Sequence, residues 1–119
     1  MNYIKSLEPL LISSNYGDGN VLGQPLGVKT LGIVKIELTS GHIGFGEAYI
    51  GIYVPELFKE LVNFYAKKLI NSEMKNPSKI FQDIYIPFCS RNGLMLSVYS
   101  AIDIALWDVF CKVENNSFA

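Results

Sequence analysis

The chain has 119 residues, 50% of them hydrophobic and only 18% charged, with a formal net charge of −1. That length holds one domain, able to bury roughly two-thirds of its unfolded surface. Ten Lys and Arg against eleven Asp and Glu exclude a basic nucleic-acid binder and a polybasic membrane patch. An ordinary soluble domain carries about 25% charged residues, so this small one is short of polar cover, which points to a missing partner surface.

Cys89 and Cys111 are too few for a disulfide framework and match no zinc spacing; they read as buried free thiols of a reducing compartment. Met1 to Lys5 lacks the basic stretch and apolar run of a signal peptide. No segment reads as the ~20-residue apolar span that crosses a bilayer. The expectation is a soluble cytoplasmic protein with neither nucleic acid nor membrane as partner.

In chain order, Tyr3 to Ser14 is extended in character, and Pro9 argues for an edge strand, where a missing N–H costs nothing. A Gly-rich loop follows, from Ser13 to Gly27; loops of this length are functional or disordered. Thr30 to Thr39 is the clearest strand, with Val34, Ile36 and Leu38 alternating with Lys35 and Glu37. Ser40-Gly41 turns the chain, and Ile43 to Ala48 returns beside it. A second aromatic loop runs from Tyr49 to Pro55. Glu56 to Ile70 then reads as a helix with Leu57, Leu61, Phe64, Val62, Tyr65 and Leu69 on its apolar face. A shorter helix spans Ser78 to Tyr85. The last, Leu94 to Lys112, is apolar nearly all round and ~28 Å long, which predicts packing on both of its sides. Strands followed by helices give an α+β domain: a three-stranded antiparallel meander and then a three-helix bundle.

A search for catalytic groups returns little. His42 beside the hairpin turn reads as an exposed side chain. Asp103 and Asp108 lie five apart on one helix, about 140° around it, so they make no joint metal site and read as structural carboxylates that accept hydrogen bonds. Gly44-Phe45-Gly46 lacks the third glycine of a dinucleotide loop, since Tyr49 occupies that position. No nucleophile elbow is present. The sequence holds no complete active site. It does hold two aromatic, Gly-rich loops, and in a meander both leave from the same end of the sheet. Two lids over one site and two ordinary connectors stand equal on physical grounds.

Val34-Lys35-Ile36-Glu37-Leu38 with Gly44-Phe45-Gly46-Glu47-Ala48, and Ser100-Ala101-Ile102-Asp103-Ile104-Ala105-Leu106-Trp107-Asp108 with Lys112 four residues on, resemble two signatures of one family. It is the mandelate racemase and muconate lactonizing enzyme group of the enolase superfamily. Tyr53-Val54-Pro55 and Arg91-Asn92-Gly93-Leu94 are similar to that group as well, and the resemblance covers essentially the whole chain. It implies that residues 1–119 form an N-terminal α+β capping domain whose two loops close over a C-terminal (β/α)₈ barrel.

By the same resemblance the barrel carries Mg²⁺ and the base that abstracts a proton next to a carboxylate; no cofactor is expected in this chain. Tyr16 and Gln24 in the first loop, and Tyr49, Ile50 and Tyr53 in the second, are the implied substrate contacts, while Glu47 and Asp103 are motif residues expected to anchor the ends of elements. Cys111 stands where the family has glycine, and Ser117 where it has proline. The barrel, ~250 residues, does not follow within the chain.

The expected partners are that barrel, a small carboxylate substrate and, in the full-length protein, further copies of itself. The resemblance favours a sugar-acid dehydratase or hydroxy-acid racemase. A free-standing interaction module and an inactive truncated relic are the alternatives.

Overall fold

The structure is a computed structural model that describes residues 1–15, 20–21, 24–25, 28–48, 50–91 and 93–115. Strand β1 (Ile4–Asn15) pairs with β4 (Val28–Leu38), and β4 with β5 (Ile43–Ala48), in an antiparallel sheet of order β1-β4-β5; between β1 and β4, the two-residue strands β2 (Asn20–Val21) and β3 (Gln24–Pro25) pair with each other. The alternation works as read. Val34, Ile36 and Leu38 are fully buried, and Lys35 and Glu37 point to the other face, where Glu37 pairs with Lys5 at 3.4 Å.

The register sets Leu7 opposite Ile36, Pro9 opposite Val34 and Leu11 opposite Gly32, and Gly32 in turn opposite Ala48. Leu38 N–H bonds toward β5, to the His42 carbonyl, while Thr39 N–H bonds toward β1, to the Tyr3 carbonyl. Backbone direction alternates along a strand, so even-numbered residues of β4 face β5 and odd-numbered ones face β1. In β1, Pro9 therefore turns its backbone outward, to the open edge where it costs no ladder bond.

A register shift between Ile4 and Ser6 keeps Ile4 in the core and turns its backbone out as well. There its N–H donates to the Ser72 carbonyl and its own carbonyl accepts from Asn71 N–H, at 2.9 and 2.8 Å. The start of the edge is thus covered by the chain at Asn71 and Ser72.

The helices are α1 (Ile50–Tyr53), α2 (Pro55–Leu69), α3 (Pro77–Ile84) and α4 (Gly93–Val113), with a 3₁₀ turn at Cys89–Arg91 before the last. Pro55 and Pro77 open their helices at positions that need no donor, and the Asn76 side chain accepts from Ser78 N–H at 2.9 Å, an N-cap. The stripe on α2 differs from the sequence reading. Phe58, Val62, Tyr65, Ala66 and Leu69 are buried, whereas Leu57 and Phe64 are exposed and Leu61 is half-buried. The reason lies across the interface: Gly32 has no side chain, and the Phe58 ring occupies that space, 3.1 Å from where a Cβ would stand.

Helix α4 runs along β5 at the shortest distance that backbones allow. A Cβ on Gly44 would lie 2.5 Å from the Ala105 carbonyl oxygen, and one on Gly46 closer still to that of Ala101. The small residues of the two sequence signatures thus face one another, glycine on the strand against alanine on the helix. The other side of α4 is left open among the described residues. Leu96 and Ile104 are more than 40% exposed, and Trp107 meets Phe110 edge-on at 5.8 Å among half-buried neighbours. The expected two-sided sandwich is therefore one-sided in this chain. At 21 residues α4 is also long and apolar enough to span a bilayer, contrary to the sequence reading; its buried side, Val98 to Val109, packs as a core helix.

Candidate functional site

Both loops depart toward the same end of the sheet, the second just past Ala48, level with Leu11 and Gly32, and the first four residues farther on, past Asn15 and Val28. From β1 the chain enters the segment that contains β2 and β3, and from β5 it enters α1. The meander geometry read from the sequence is present. Gln24 lies in β3, paired with Val21. Tyr16 and Tyr49 lie outside the described residues.

Ile50 and Tyr53 fall on α1, a helical turn that the sequence reading did not contain, and they take opposite roles there. Ile50 is buried in the core cluster, while Tyr53 is 55% exposed. Tyr53 is thus the described aromatic group of the second loop that presents itself at this end.

The motif residues do other work. Asp108 accepts the Phe45 N–H at 2.9 Å and the Lys112 ammonium at 3.1 Å, and Lys112 also donates to the Ile43 carbonyl at 2.8 Å. Ile43 and Phe45 turn their backbone to the open edge of β5. One i,i+4 ion pair on α4 therefore satisfies both a donor and an acceptor of that edge, blocking it against pairing with another strand.

Asp103 has no hydrogen bond or ion pair among the described residues, and burial raises its carboxyl above the usual range. Glu47 is exposed and likewise makes no such bond among the described residues. The role of accepting hydrogen bonds belongs to Asp108 alone of the two aspartates. His42 is exposed, and its Nδ1 lies 2.7 Å from the Ser40 hydroxyl in the hairpin turn.

An aromatic cluster escaped the sequence reading. Tyr99 stacks on Phe81 and donates its hydroxyl to the Phe81 carbonyl; burial, with Tyr65 beside it, pushes its phenol up to about 12. Burial also raises the phenol of Tyr65, whose hydroxyl is 3.5 Å from that of Ser90. Ser90 accepts the Ile86 N–H at 2.9 Å. These groups fasten the connection from α3 to α4 and take no part at the loop end. Both cysteines are free as expected, but neither is buried: Cys89 is exposed and Cys111 half-exposed.

Among the described residues no three His, Cys, Asp or Glu side chains converge to hold a metal ion. These residues do not fit Mg²⁺. What the loop end presents among the described candidate residues is the exposed aromatic side chain of Tyr53.

Comparison with known proteins agrees with this fold. Residues 24–119 match the family described as mandelate racemase / muconate lactonizing enzyme, N-terminal domain. A Sinorhizobium meliloti protein solved in an open-loop conformation is 26% identical, with a TM-score of 0.79 over 96% of this chain and 34% of its own. The 3,6-anhydro-D-galactonate cycloisomerase of Zobellia galactanivorans is 29% identical, with a TM-score of 0.75 over 94% of this chain and 29% of its own. L-Talarate dehydratase of Polaromonas, solved with Mg and L-glucarate, shares the fold at 21% identity and a TM-score of 0.73, over 96% of this chain and 33% of its own. The chain spans about a third of the length of these proteins. It belongs to the mandelate racemase/muconate lactonizing enzyme N-terminal domain family and is a capping domain of the enolase-superfamily fold.

Proposed function

We propose that this domain is the lid-bearing cap of an enzyme that abstracts a proton next to the carboxylate of a small acid. A sugar-acid dehydratase fits first and a hydroxy-acid racemase or cycloisomerase second. The observation that carries the reading is the departure of both loops toward one end of the sheet, the second past Ala48 and the first past Asn15 and Val28, in a chain whose relatives include a cycloisomerase and a dehydratase.

The C-terminal barrel would hold the base and Mg²⁺, which would supply positive charge beside the substrate carboxylate. The cap's own residues then bind, orient and exclude water. Tyr53 is the group exposed for that contact. Ile50 supports it from the core, and Gln24, Tyr16 and Tyr49 complete the proposed cover. The open apolar side of α4 gives the interaction-module reading its one point of support; in the present proposal that side faces the rest of the polypeptide.

The test is solvent exchange in the polypeptide that joins this domain to its barrel. With Mg²⁺ in D₂O, L-talarate and 3,6-anhydro-D-galactonate are among the acids to be followed by proton NMR for loss of the hydrogen next to the carboxylate. Enzyme-dependent exchange or conversion of a sugar or hydroxy acid supports the reading. No exchange across a panel of such acids, with intact protein and Mg²⁺, would sink it.

A further inference from the structure

A four-residue segment cannot hold a helix by itself, yet Ile50 to Tyr53 forms one turn, closed by the Val54 N–H on the Ile50 carbonyl at 2.8 Å. It is held from beneath. Gly51 is buried, and a Cβ built on it would stand 2.5 Å from Gly32 Cα and closer still to Gly32 N; a Cβ on Gly32 would meet Gly51 Cα and the Phe58 ring, each at 3.1 Å. Backbone rests directly on backbone. On one side of this contact Ile50 enters the core, and on the other Tyr53 is exposed. Gly32 itself lies on β4, four residues beyond Val28, where the strand begins after the first loop.

We infer that Gly51, seated on Gly32, is a positioning residue that sets the height of α1 over the sheet and so the place of Tyr53 at the substrate end. The inference rests on the capping-domain reading above. A side chain at position 51 meets backbone, which cannot rotate away, so α1 must rise by about 1 Å to recover an ordinary contact of 3.4 Å. A misplacement of ~1 Å can cost up to ~100-fold in rate. Gly93, at the start of α4, gives the contrast: a Cβ there has no atom within 4 Å.

The experiment compares Gly51→Ala with Gly93→Ala in the full-length protein, by two readouts. The first needs no substrate: amide hydrogen exchange at Val54, where α1 closes, against the core amides of β4. Gly51→Ala should speed exchange at Val54 by about tenfold or more with the β4 core unchanged, and Gly93→Ala should match the parent protein. The second readout is the exchange assay in D₂O, where Gly51→Ala should lower kcat/KM by about tenfold with Mg²⁺ affinity unchanged.

Parent-like exchange at Val54 and parent-like kcat/KM in Gly51→Ala overturn the inference. Fast exchange at Val54 in a protein whose parent acts on no acid keeps the seat and removes the capping-enzyme reading instead. Should Gly51→Ala not fold, Gly32→Ala presses on the same contact with more clearance. It should shift both readouts the same way by about threefold, and no shift there overturns the inference equally.

Discussion

At the α4–β5 seam a helix backbone lies on Gly44 and Gly46, and at the α1–β4 seam one lies on Gly32 by way of Gly51. The contacts are alike, but what surrounds them is not. Helix α4 has 21 residues, a buried stripe from Val98 to Val109, and the Asp108–Lys112 pair bonded to the edge of β5. Helix α1 has four residues and one buried apolar side chain, Ile50. The first seam is fixed many times over and serves stability. The second rests on a shorter helix and a smaller buried surface, so it can serve placement. One device, glycine beneath a helix, thus yields a core in one half of the domain and, in the proposal above, a seat for a lid in the other.

The largest expected effect lies at the stronger seam. Gly46→Val puts a branched side chain against the Ala101 carbonyl, where neither partner can move aside. Such overpacking should cost about 3 kcal/mol, read as a lowered urea midpoint with the slope unchanged. A loss below ~1 kcal/mol would mean that α4 does not lie on β5 in this way.

Next is Asp108→Ala, which strips the cap from Phe45 N–H and one partner from Lys112. Bonds to charged groups at a wet edge give an expected cost of about 1–2 kcal/mol, together with faster amide exchange at Phe45. Unchanged exchange there would leave the edge-blocking role without support.

The smallest effect concerns Asp103, whose carboxyl burial raises. The folded chain holds that proton to higher pH than the unfolded chain does. Its contribution to stability is complete below the unfolded carboxylate range, near ~4, and is lost as pH rises through the folded value. Asp103→Asn should therefore be slightly more stable than the parent at neutral pH, within ~0.5 kcal/mol. The gain should vanish near pH ~3. A less stable Asn variant at neutral pH would show a carboxylate held by a partner group.

Much of the stronger seam was visible in the sequence. The alternation of Val34, Ile36 and Leu38 marked the strand, Pro55 and Asn76-Pro77 marked helix starts, and Gly44, Gly46, Ala101 and Ala105 stood in recognisable motifs. The partners were not visible, because Asp108 and Phe45 are 63 residues apart and no local pattern joins them. On α2 Val62, Tyr65 and Leu69 are buried as read, and Leu57, Leu61 and Phe64 went astray for a similar reason. Leu57, Leu61 and Phe64 repeat at helical spacing as well as Phe58, Val62 and Tyr65 do, and the choice is made by the gap at Gly32 on another element.

Helix α1 was invisible because four residues carry no period. Without it, Ile50 and Tyr53 looked equivalent, whereas the turn buries one and exposes the other. The two-sided packing expected of α4 followed from composition alone, which records that an apolar face needs cover but not whether the same domain supplies it.

The lid role of the weaker seam is tested most directly by the kinetics of Tyr53→Ala in the full-length protein. The expected result is a fall in kcat/KM of about tenfold, with Mg²⁺ affinity and thermal stability held. Unchanged kinetics in that variant, or a fall matched by lost Mg²⁺ affinity, would contradict a substrate-covering role for this end of the domain.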